Sequence, residues 1–500
     1  MILRPQIKDF KIIGFYLAKI ILGLALCLVI PMAISFFCHE LNPCFDFIIG
    51  FLVCAILAAI LYIFCYTKDE PRWSHGMIIV SFSWILVSVL AAVPLYLSGH
   101  FYSFLDAVFE AVSGFTTTGL SLAQDLGHLS YGHNFWRHLI MFIGGQGIVV
   151  IVLSILTGKN TGSFRLYVGE ARDERLLPNI RETSRFIWVV SLTYFFLGTL
   201  ALTIVGYLSG IPLLKAVFHG ACLFMAAFDT GGFAPHQQNI LYYHSLAFEI
   251  VTMVIMILGI INFKLHFTLW TGQRKEIFKN IETRTFFASI LITFFIVAIG
   301  LIKIGAYPTA SALFSKGFYQ LVSAHTGTGF STIYSDQFMI EWSPLSLFGL
   351  ILAMSLGGCA CSTSGGIKAM RLGIIAKMFI SDVKRHVSPE AAVFVDKMHH
   401  IKDLIITDRQ VRSACLVTLA YILVYFGGAL IGMLLGYPFV ESFFESTSAA
   451  ANVGLSCGIT SPTMPVLLKI VYIIQMWAGR LEFVSVFVLV GFVVALIKGR

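Results

Sequence analysis

Charged side chains are scarce in this sequence: Asp, Glu, Lys and Arg make up only 12% of its 500 residues, whereas hydrophobic residues make up 58%. Its mean hydropathy is +0.86. A soluble globular domain carries about 25% charged residues, so this composition excludes a soluble fold. The formal net charge is +8, and no polar segment is long enough to form a basic domain that binds nucleic acid.

Groupings typical of enzymes and metal sites are also missing. The ten cysteines lack CxxC spacing, and most lie in apolar runs, where cysteine is usually a small buried hydrophobe. His399, His400 and Asp403 could bind a metal ion, but we expect them to lie on a solvated face of a loop. No nucleophile is accompanied by a base and an orienting group. We therefore expect neither an enzyme nor a bound cofactor in this chain.

The sequence does contain many apolar runs of about twenty residues, the length that spans a membrane as a helix. They predict an all-α polytopic membrane protein with two N-terminal spans, near 11–36 and 46–66, followed by four repeats of helix, pore loop and helix. The predicted outer helix, pore segment and inner helix lie at 75–97, 102–120 and 134–157, then 186–209, 212–233 and 244–270, then 284–306, 309–330 and 344–380, and finally 410–436, 438–455 and 464–497.

These elements divide the chain into an N-terminal helix pair and four pore repeats. The third repeat has a broken inner helix. Because re-entrant backbone is tolerated at membrane depth only inside protein or beside water, we expect the four pore segments to meet around one pore. The predicted boundaries are 1–70 for the helix pair and 71–160, 161–272, 273–390 and 391–500 for the repeats.

A glycine recurs in one register within the four pore segments: Gly119, Gly232, Gly329 and Gly454. A cation that leaves water needs replacement oxygens, which rings of backbone carbonyls can supply. Glycine permits backbone conformations that other residues avoid. The candidate filter residues, at which potassium ions would bind, are Thr116, Thr117, Thr118, Gly119, Thr230, Gly231, Gly232, Thr326, Gly327, Thr328, Gly329, Asn452, Val453 and Gly454.

Positive charge is confined to alternate loops. The segments 1–11, 67–73, 158–185, 271–284, 371–412 and 498–500 hold 25 of the 34 Lys and Arg residues. The loops that carry the pore segments hold few. By the positive-inside rule, both termini are predicted to be cytoplasmic and the filter to face outwards.

The second repeat departs from the other three. Fourteen residues separate Phe218 from Gly232, whereas ten separate Phe109 from Gly119, so its pore helix is predicted to be about one turn longer. Asp229 lies where the other segments have Thr116, Thr326 and Ala451. Its carboxylate would either attract cations at the filter or accept hydrogen bonds behind it.

Two features of the inner helices predict a gate. Four glycines and three small hydroxyl residues interrupt the third inner helix, and such a break is permitted where it lines a cavity. Arg480 and Glu482 lie within the fourth inner helix, and an intramembrane charge usually faces water or protein. An ion pair between them is the structural alternative. The candidate gate residues are Gly357, Gly358, Cys359, Ala360, Cys361, Ser362, Thr363, Ser364, Gly365, Gly366 and Arg480.

Several motifs resemble the Trk/Ktr/HKT superfamily of potassium transporters, and most closely its TrkH-type membrane subunits. They are TTTG at Thr116–Gly119, IGGQGIVV at Ile143–Val150, GGF at Gly231–Phe233, INFKLHF at Ile261–Phe267, GGCACSTSGGIK at Gly357–Lys368, NVGL at Asn452–Leu455 and GRLE at Gly479–Glu482. The resemblance covers nearly the whole chain. Asp229, the longer second pore segment and the cysteines beside Ala360 depart from the family pattern.

The resemblance implies a homodimer in a bacterial cytoplasmic (inner) membrane, with one pore per protomer. It also implies a gate below the filter, formed by Gly357–Gly366 with Arg480. A separate TrkA-type cytoplasmic subunit is expected to bind the regulatory nucleotide (ATP/ADP or NAD). The other expected partner is membrane lipid, and K⁺ is the transported ion.

We therefore predict channel-like potassium uptake across the cytoplasmic membrane. A less selective alkali-cation or ammonium channel is one alternative, because the same fold could pass those ions. An ion-coupled K⁺ symporter is another, although the spans contain few of the carboxylates that proton coupling uses.

Overall fold

A computed structural model describes residues 5–147, 180–389, 392 and 394–499. Within these residues, six helices are long and apolar enough to cross a membrane. The sequence predicts each of them to within a few residues. They are Ile7–Phe37, Leu41–Cys65, Trp73–Leu97, Ile180–Leu208, Ile281–Ile304 and Asp408–Leu434.

The four inner helices are shorter or broken. The first is Tyr131–Gln146; its predicted remainder and the basic loop 158–185 lie largely outside the described residues. The third is interrupted as the sequence predicts. The second and fourth, expected to be continuous, bend by 101° and 113°. Their parts are Leu246–Ile260 with Phe263–Trp270, Pro344–Ser355 with Ala369–His386, and Val466–Arg480 with Val484–Lys498.

Local chemistry explains the two unexpected bends. In the second inner helix, Ile261 is extended and the side chain of Asn262 accepts a hydrogen bond from the Lys264 amide, which begins a new helix. In the fourth, Glu482 and Phe483 both have positive φ, at 50° and 68°. Hydropathy does not detect either bend because, averaged over a window, the apolar residues on both sides outweigh the few polar residues at the bend.

A short helix lies inside each repeat and precedes a filter segment. The second has 16 residues, against 12 in the first and fourth, which confirms that it is one turn longer. The third is preceded by a turn of π-helix at Phe314–Phe318. These pore helices are Phe104–Phe115, Leu213–Phe228, Tyr319–Thr326 and Phe439–Ala450.

The pore helices form the buried centre of the fold. Every residue from Phe109 to Phe115 is buried, as is every residue from Phe444 to Ala450. The two N-terminal helices pack on each other and on Trp73–Leu97, outside this centre. The N-terminal pair therefore supports the first repeat and contributes nothing to the filter segments.

The remaining described elements are short. The chain also forms a two-stranded antiparallel hairpin, Lys397–His400 with Lys402–Ile405, where the sequence predicts a loop. The pairing register aligns His399 with Asp403. The other short helices are Asn239–Tyr243, Glu276–Lys279, Ala310–Leu313 and Gln337–Glu341.

Candidate functional site

The four filter segments share one backbone conformation. A residue with positive φ follows the end of each pore helix, and a glycine with positive φ follows two residues later. The four segments therefore take the same path although their sequences differ. The φ values are 53° and 94° at Thr117 and Gly119, 52° and 72° at Thr230 and Gly232, 72° and 80° at Gly327 and Gly329, and 55° and 91° at Asn452 and Gly454.

Each segment is also fastened to its own pore helix in the same way. The amide of the residue before the glycine donates to a helix carbonyl five residues earlier, at 2.8–2.9 Å. This contact satisfies the amide within protein, as membrane depth demands. The pairs are Thr118 to Ser113, Gly231 to Ala226, Thr328 to Ser323 and Val453 to Ser448.

The glycines close the four segments into a ring. A Cβ built on Gly119 would lie closer than 3.0 Å to the carbonyl oxygen of Gly231, in the second repeat. Gly232 has the same relation to Thr328, Gly329 to Val453, and Gly454 to Thr118, which returns to the first repeat. Positive φ and close packing thus both require glycine at these positions. Four carbonyls and four glycines alternate around one axis.

One cavity opens onto this ring. It measures about 290 Å³ and all four ring glycines line it, together with residues that follow the filter segments, such as Ser121 and Ser456. An ion in this cavity therefore has access to all four segments at once.

The filter threonines fall into two groups. Thr116 pairs with Thr118, and Thr326 with Thr328, each through hydroxyls 2.8 Å apart. Thr117 instead faces the broken third helix. The paired hydroxyls brace the first and third segments internally, whereas Thr117 connects the first segment to the loop below.

Buried pore-helix side chains hold the chain just beyond the filter. Glu110 and Glu445 each lie nine residues before their glycine. Glu110 accepts hydrogen bonds from Ser121 Oγ at 2.9 Å and from the Leu122 amide at 2.8 Å. Glu445 binds the corresponding positions of the fourth repeat, and Gln320 donates to Thr332 in the third. The sequence reading missed this repeated polar position, although its constant distance from the glycine could have revealed it.

The second repeat has Leu223 at that position and is held by the first repeat instead. Arg137 is fully buried and forms an ion pair with Glu110 at 2.6 Å. Its guanidinium lies 4.2 Å from the ring centre of Phe233 and donates to the carbonyl of Ala234 at 3.4 Å. Arg137 therefore holds the residues that follow two neighbouring filter segments. This role was not predicted from the sequence.

Asp229 lies behind the ring. Gln146 donates to its carboxylate at 2.8 Å and itself accepts from Ser191. A Cβ on Gly145 would collide with the Asp229 side chain. Of the two roles considered from the sequence, this geometry agrees with a hydrogen-bonding role behind the filter.

Backbone hydrogen bonds join the two ends of the Gly357–Gly366 loop, and the loop is buried. The Gly357 amide donates to the carbonyl of Ile367 at 2.8 Å, and the Ile367 amide donates to Ser355 at 3.1 Å. All its residues except Ala360 are buried. The broken helix thus forms a compact, fastened loop.

The tip of this loop lies against the filter segments. Thr363 Oγ1 donates to the carbonyls of Phe228 and Gly259, each at 3.0 Å. Thr117 Oγ1 lies 3.4 Å from the carbonyl of Thr363, and Thr230 Oγ1 lies 3.4 Å from its hydroxyl. The loop therefore meets the end of the filter opposite the outer cavity.

The same tip reaches the other two repeats. A Cβ on Gly327 would lie 3.1 Å from Ser364 Oγ. A Cβ on Gly365 would lie 2.4 Å from the carbonyl oxygen of Ala451 and 2.8 Å from the side chain of Asn452. Residues 363–365 thus approach all four filter segments.

Arg480 joins the loop to the filter. Its guanidinium donates to the carbonyl of Thr363, to Thr117 Oγ1 at 3.2 Å and to the carbonyl of Gly144 at 2.9 Å. The structure therefore brings together the two features that the sequence assigned to a gate.

Glu482 pairs with Arg371, on the helix that leaves the loop. The structural alternative considered for Arg480, an ion pair with Glu482, is thus replaced by the Arg371–Glu482 pair. This pair connects the loop's helix to the bend that follows Arg480.

Two further residues hold the base of the loop, a role that was not predicted from the sequence. Glu282, which is buried, accepts from the Ala360 amide at 2.6 Å, and Lys368 donates to the carbonyl of Ser364. Glu282 also accepts from Asn262 at 3.2 Å, at the bend of the second inner helix. The loop's position is thus set by a charged residue on the Ile281–Ile304 helix and by one that directly follows the loop.

The two histidines of the hairpin have structural partners. His399 contacts Asp403 at 2.7 Å and Glu276 at 2.9 Å, while His400 is buried beside Asn280. The solvated face expected here is therefore wrong for His400. Within the described residues, no group of three or more His, Cys, Asp or Glu side chains is arranged to hold a metal ion.

A family profile described as a TrkH cation transport protein matches residues 44–495. The chain belongs to the TrkH family. TrkH proteins are transporters and have no enzymatic activity, so the expectation of a non-enzyme is confirmed, as is the resemblance noted from the motifs. The chain is a multi-pass membrane subunit of this family.

Curated relatives and a solved structure agree with this assignment to the TrkH family. An uncharacterized cation transporter of Methanocaldococcus jannaschii is 34% identical over 98% of this chain and 97% of its own length. The Trk system potassium uptake protein TrkG of Escherichia coli K12 is 31% identical over 92% and 93%. The crystal structure of the potassium transporter TrkH from Vibrio parahaemolyticus covers 97% of this chain and 98% of its own, with a TM-score of 0.80 and 25% identity.

Proposed function

We propose that this chain is the potassium-conducting subunit of a Trk-type uptake system. The observation that carries this proposal is the closed ring of four glycines and four carbonyls, to which all four repeats contribute equally. Such a ring replaces the hydration shell of a monovalent cation. Relatives named as potassium uptake proteins support potassium as the ion.

The direction of transport follows from charge. The basic loops favour an orientation with both termini in the cytoplasm, in which the cavity above the ring opens to the outside. A membrane potential of 100 mV contributes about 2.3 kcal/mol per charge to inward movement. Uptake through the ring therefore needs no bound cofactor in this chain.

The Gly357–Gly366 loop and Arg480 form the gate. The loop tip obstructs the inner end of the ring sterically, and Arg480 adds a positive charge that repels a cation in a poorly screening environment. Opening requires the loop to leave Thr117 and Thr230. Glycines at both ends of the loop make such a movement inexpensive for the backbone.

A separate nucleotide-binding subunit would control this gate. The cytoplasmic segments are too short to fold as a nucleotide-binding domain. The homodimer, the TrkA-type partner and its ATP/ADP or NAD ligand stay predictions. Tight binding of ATP or NADH by the purified chain alone would contradict regulation through a partner.

Ion flux into liposomes that contain the purified protein tests this function. We expect K⁺ and Rb⁺ to permeate faster than Na⁺ and Li⁺ under an imposed potential. Equal flux of all four ions would favour a general alkali-cation channel, and NH₄⁺ flux measures the ammonium alternative. Flux that depends on a proton or sodium gradient, at zero potential, would favour a symporter.

A further inference from the structure

A pair of cavities lies below the gate, outside the filter. The first, of about 480 Å³, is lined by Ala360, Cys361 and Lys368 and by the start of the Asp408–Leu434 helix. The second, of about 580 Å³, is lined by Trp73, Met77, Val417 and Val484. Both volumes are typical of sites for organic ligands. The cavities share four lining residues: Arg371, Arg409, Ser413 and Glu482.

The shared part of the two cavities is basic. Lys368, Arg371 and Arg409 face one carboxylate, that of Glu482. Lys368 donates to the loop and Arg371 pairs with Glu482. Arg409 is exposed, and within the described residues its guanidinium has no hydrogen-bonding or ionic partner. The excess of positive charge suits a ligand with a phosphate group.

The second cavity is apolar beyond this basic part. Trp73, Met77, Val417 and Val484 lie on three membrane helices, and Trp73 and Val484 are 46% and 49% exposed. Tryptophan at the end of a membrane helix is typical of the membrane interface. The cleft therefore opens among lipid-facing helices, beside the basic cavity.

We propose that these cavities form a binding site for one anionic phospholipid. The phosphate of the headgroup binds at Arg409 and Arg371, with Ser413 beside them, and an acyl chain lies along Trp73, Met77 and Val484. Basic pockets between membrane helices on the cytoplasmic side have this chemistry. A free phosphate ion would use only the basic half of the site. The inference depends on the cytoplasmic orientation proposed above.

The site borders the gate directly. Arg371 would be shared between the headgroup and Glu482, which lies two residues after Arg480. Ala360 and Cys361 of the loop line the same cavity. The bound lipid therefore becomes part of the surroundings of the gate.

Quenching of tryptophan fluorescence by brominated lipids tests the site without measuring flux. In nanodiscs at constant total lipid, brominated phosphatidylglycerol should quench the parent saturably and more strongly than brominated phosphatidylcholine. Trp73→Phe should abolish this difference. Arg409→Gln should weaken the apparent affinity by roughly fivefold, whereas Arg412→Gln, a change in an exposed arginine three residues away, should not.

Three results would overturn the proposal. Equal quenching by both lipids would indicate general contact with the bilayer. A difference that survives in Trp73→Phe would place the lipid elsewhere. Loss of the difference when inorganic phosphate is added at millimolar concentration would indicate a site for the free anion. None of these results bears on potassium selectivity, so the proposed function could stand if the lipid site fails.

Discussion

The guanidinium of Arg480 donates a hydrogen bond to the carbonyl oxygen of Thr363, so the broken inner helices of the third and fourth repeats meet at the inner end of the filter. The same guanidinium contacts Thr117 in the first filter segment at 3.2 Å. The Arg480 side chain therefore contacts both the loop and the first filter segment. If the loop and Arg480 form the proposed gate, opening must break these contacts.

Removal of the Arg480 charge should increase basal flux. We expect Arg480→Ala to raise K⁺ flux per folded protein several-fold, since both an electrostatic barrier and a contact of the loop are lost. Arg480→Gln separates the two effects, because it keeps hydrogen-bonding capacity without charge. Liposome flux is the measurement, and exposed Arg412→Ala is the control. Well-folded variants that conduct no faster than the parent would place the barrier elsewhere.

The two equivalent pore-helix glutamates should differ in their contribution to stability. Glu110→Gln leaves the buried Arg137 without its carboxylate, which costs about 3–5 kcal/mol. Glu445→Gln removes a charge that faces only neutral donors, so its cost should be about 1 kcal/mol. Thermal unfolding in detergent compares the two. Equal destabilisation would show that the Arg137 ion pair does not determine stability here.

His325 should be replaceable by phenylalanine with a gain in stability. It is fully buried, and within the described part of the chain neither ring nitrogen has a hydrogen-bonding partner. Phe115 and Phe228 occupy the same position in the first two repeats. His325→Phe should therefore raise the free energy of unfolding by about 1–2 kcal/mol.

His138→Phe is the matched control for this change. His138 is also buried, but its Nδ1 lies 2.7 Å from the carbonyl of Asn134. We expect this substitution to destabilise the protein, measured by the same unfolding experiment. A loss of stability in both variants would indicate that His325 has a polar role in the folded protein.

The hairpin should become less stable as pH rises. The hydrogen bond to Asp403, with the charge of Glu276, raises the pKa of His399 above its usual value. A histidine whose pKa is higher in the folded state stabilises the folded protein fully at pH values below its unfolded-state pKa of about 6.5. This stabilisation is lost as the pH rises through the folded-state pKa. Hydrogen-exchange protection of Lys397–Ile405, corrected for intrinsic rates, should therefore fall above neutral pH. A profile unchanged by His399→Gln would contradict this.

Much of the fold was predictable because each repeat combines a long apolar run with a glycine in a fixed register. The positions of Gly119, Gly232, Gly329 and Gly454 indicated four equivalent segments, and the ring contacts agree with this. The interruption at Gly357–Gly366 was predictable because glycine disfavours a regular helix.

The supporting charges were not predictable in the same way. Arg137 and Glu110 are 27 residues apart, and Arg371 and Glu482 are 111 apart. Their pairing depends on how the repeats are arranged around the axis, which hydropathy does not specify. The bends at Asn262 and Glu482 were missed for a related reason, since local capping and positive φ decide them and the few polar residues there do not end the long apolar run.

The central claim is that Gly119, with its equivalents, forms the selective ring, and relative ion flux in Gly119→Ser tests it most directly. Gly436→Ser is the matched control, because Gly436 has the same φ of 94° but a Cβ there would meet nothing within 4 Å. We predict that Gly119→Ser raises Na⁺ flux relative to K⁺ flux in liposomes, while Gly436→Ser leaves the ratio at the parental value. An unchanged ratio in a folded, conducting Gly119→Ser protein would contradict the account.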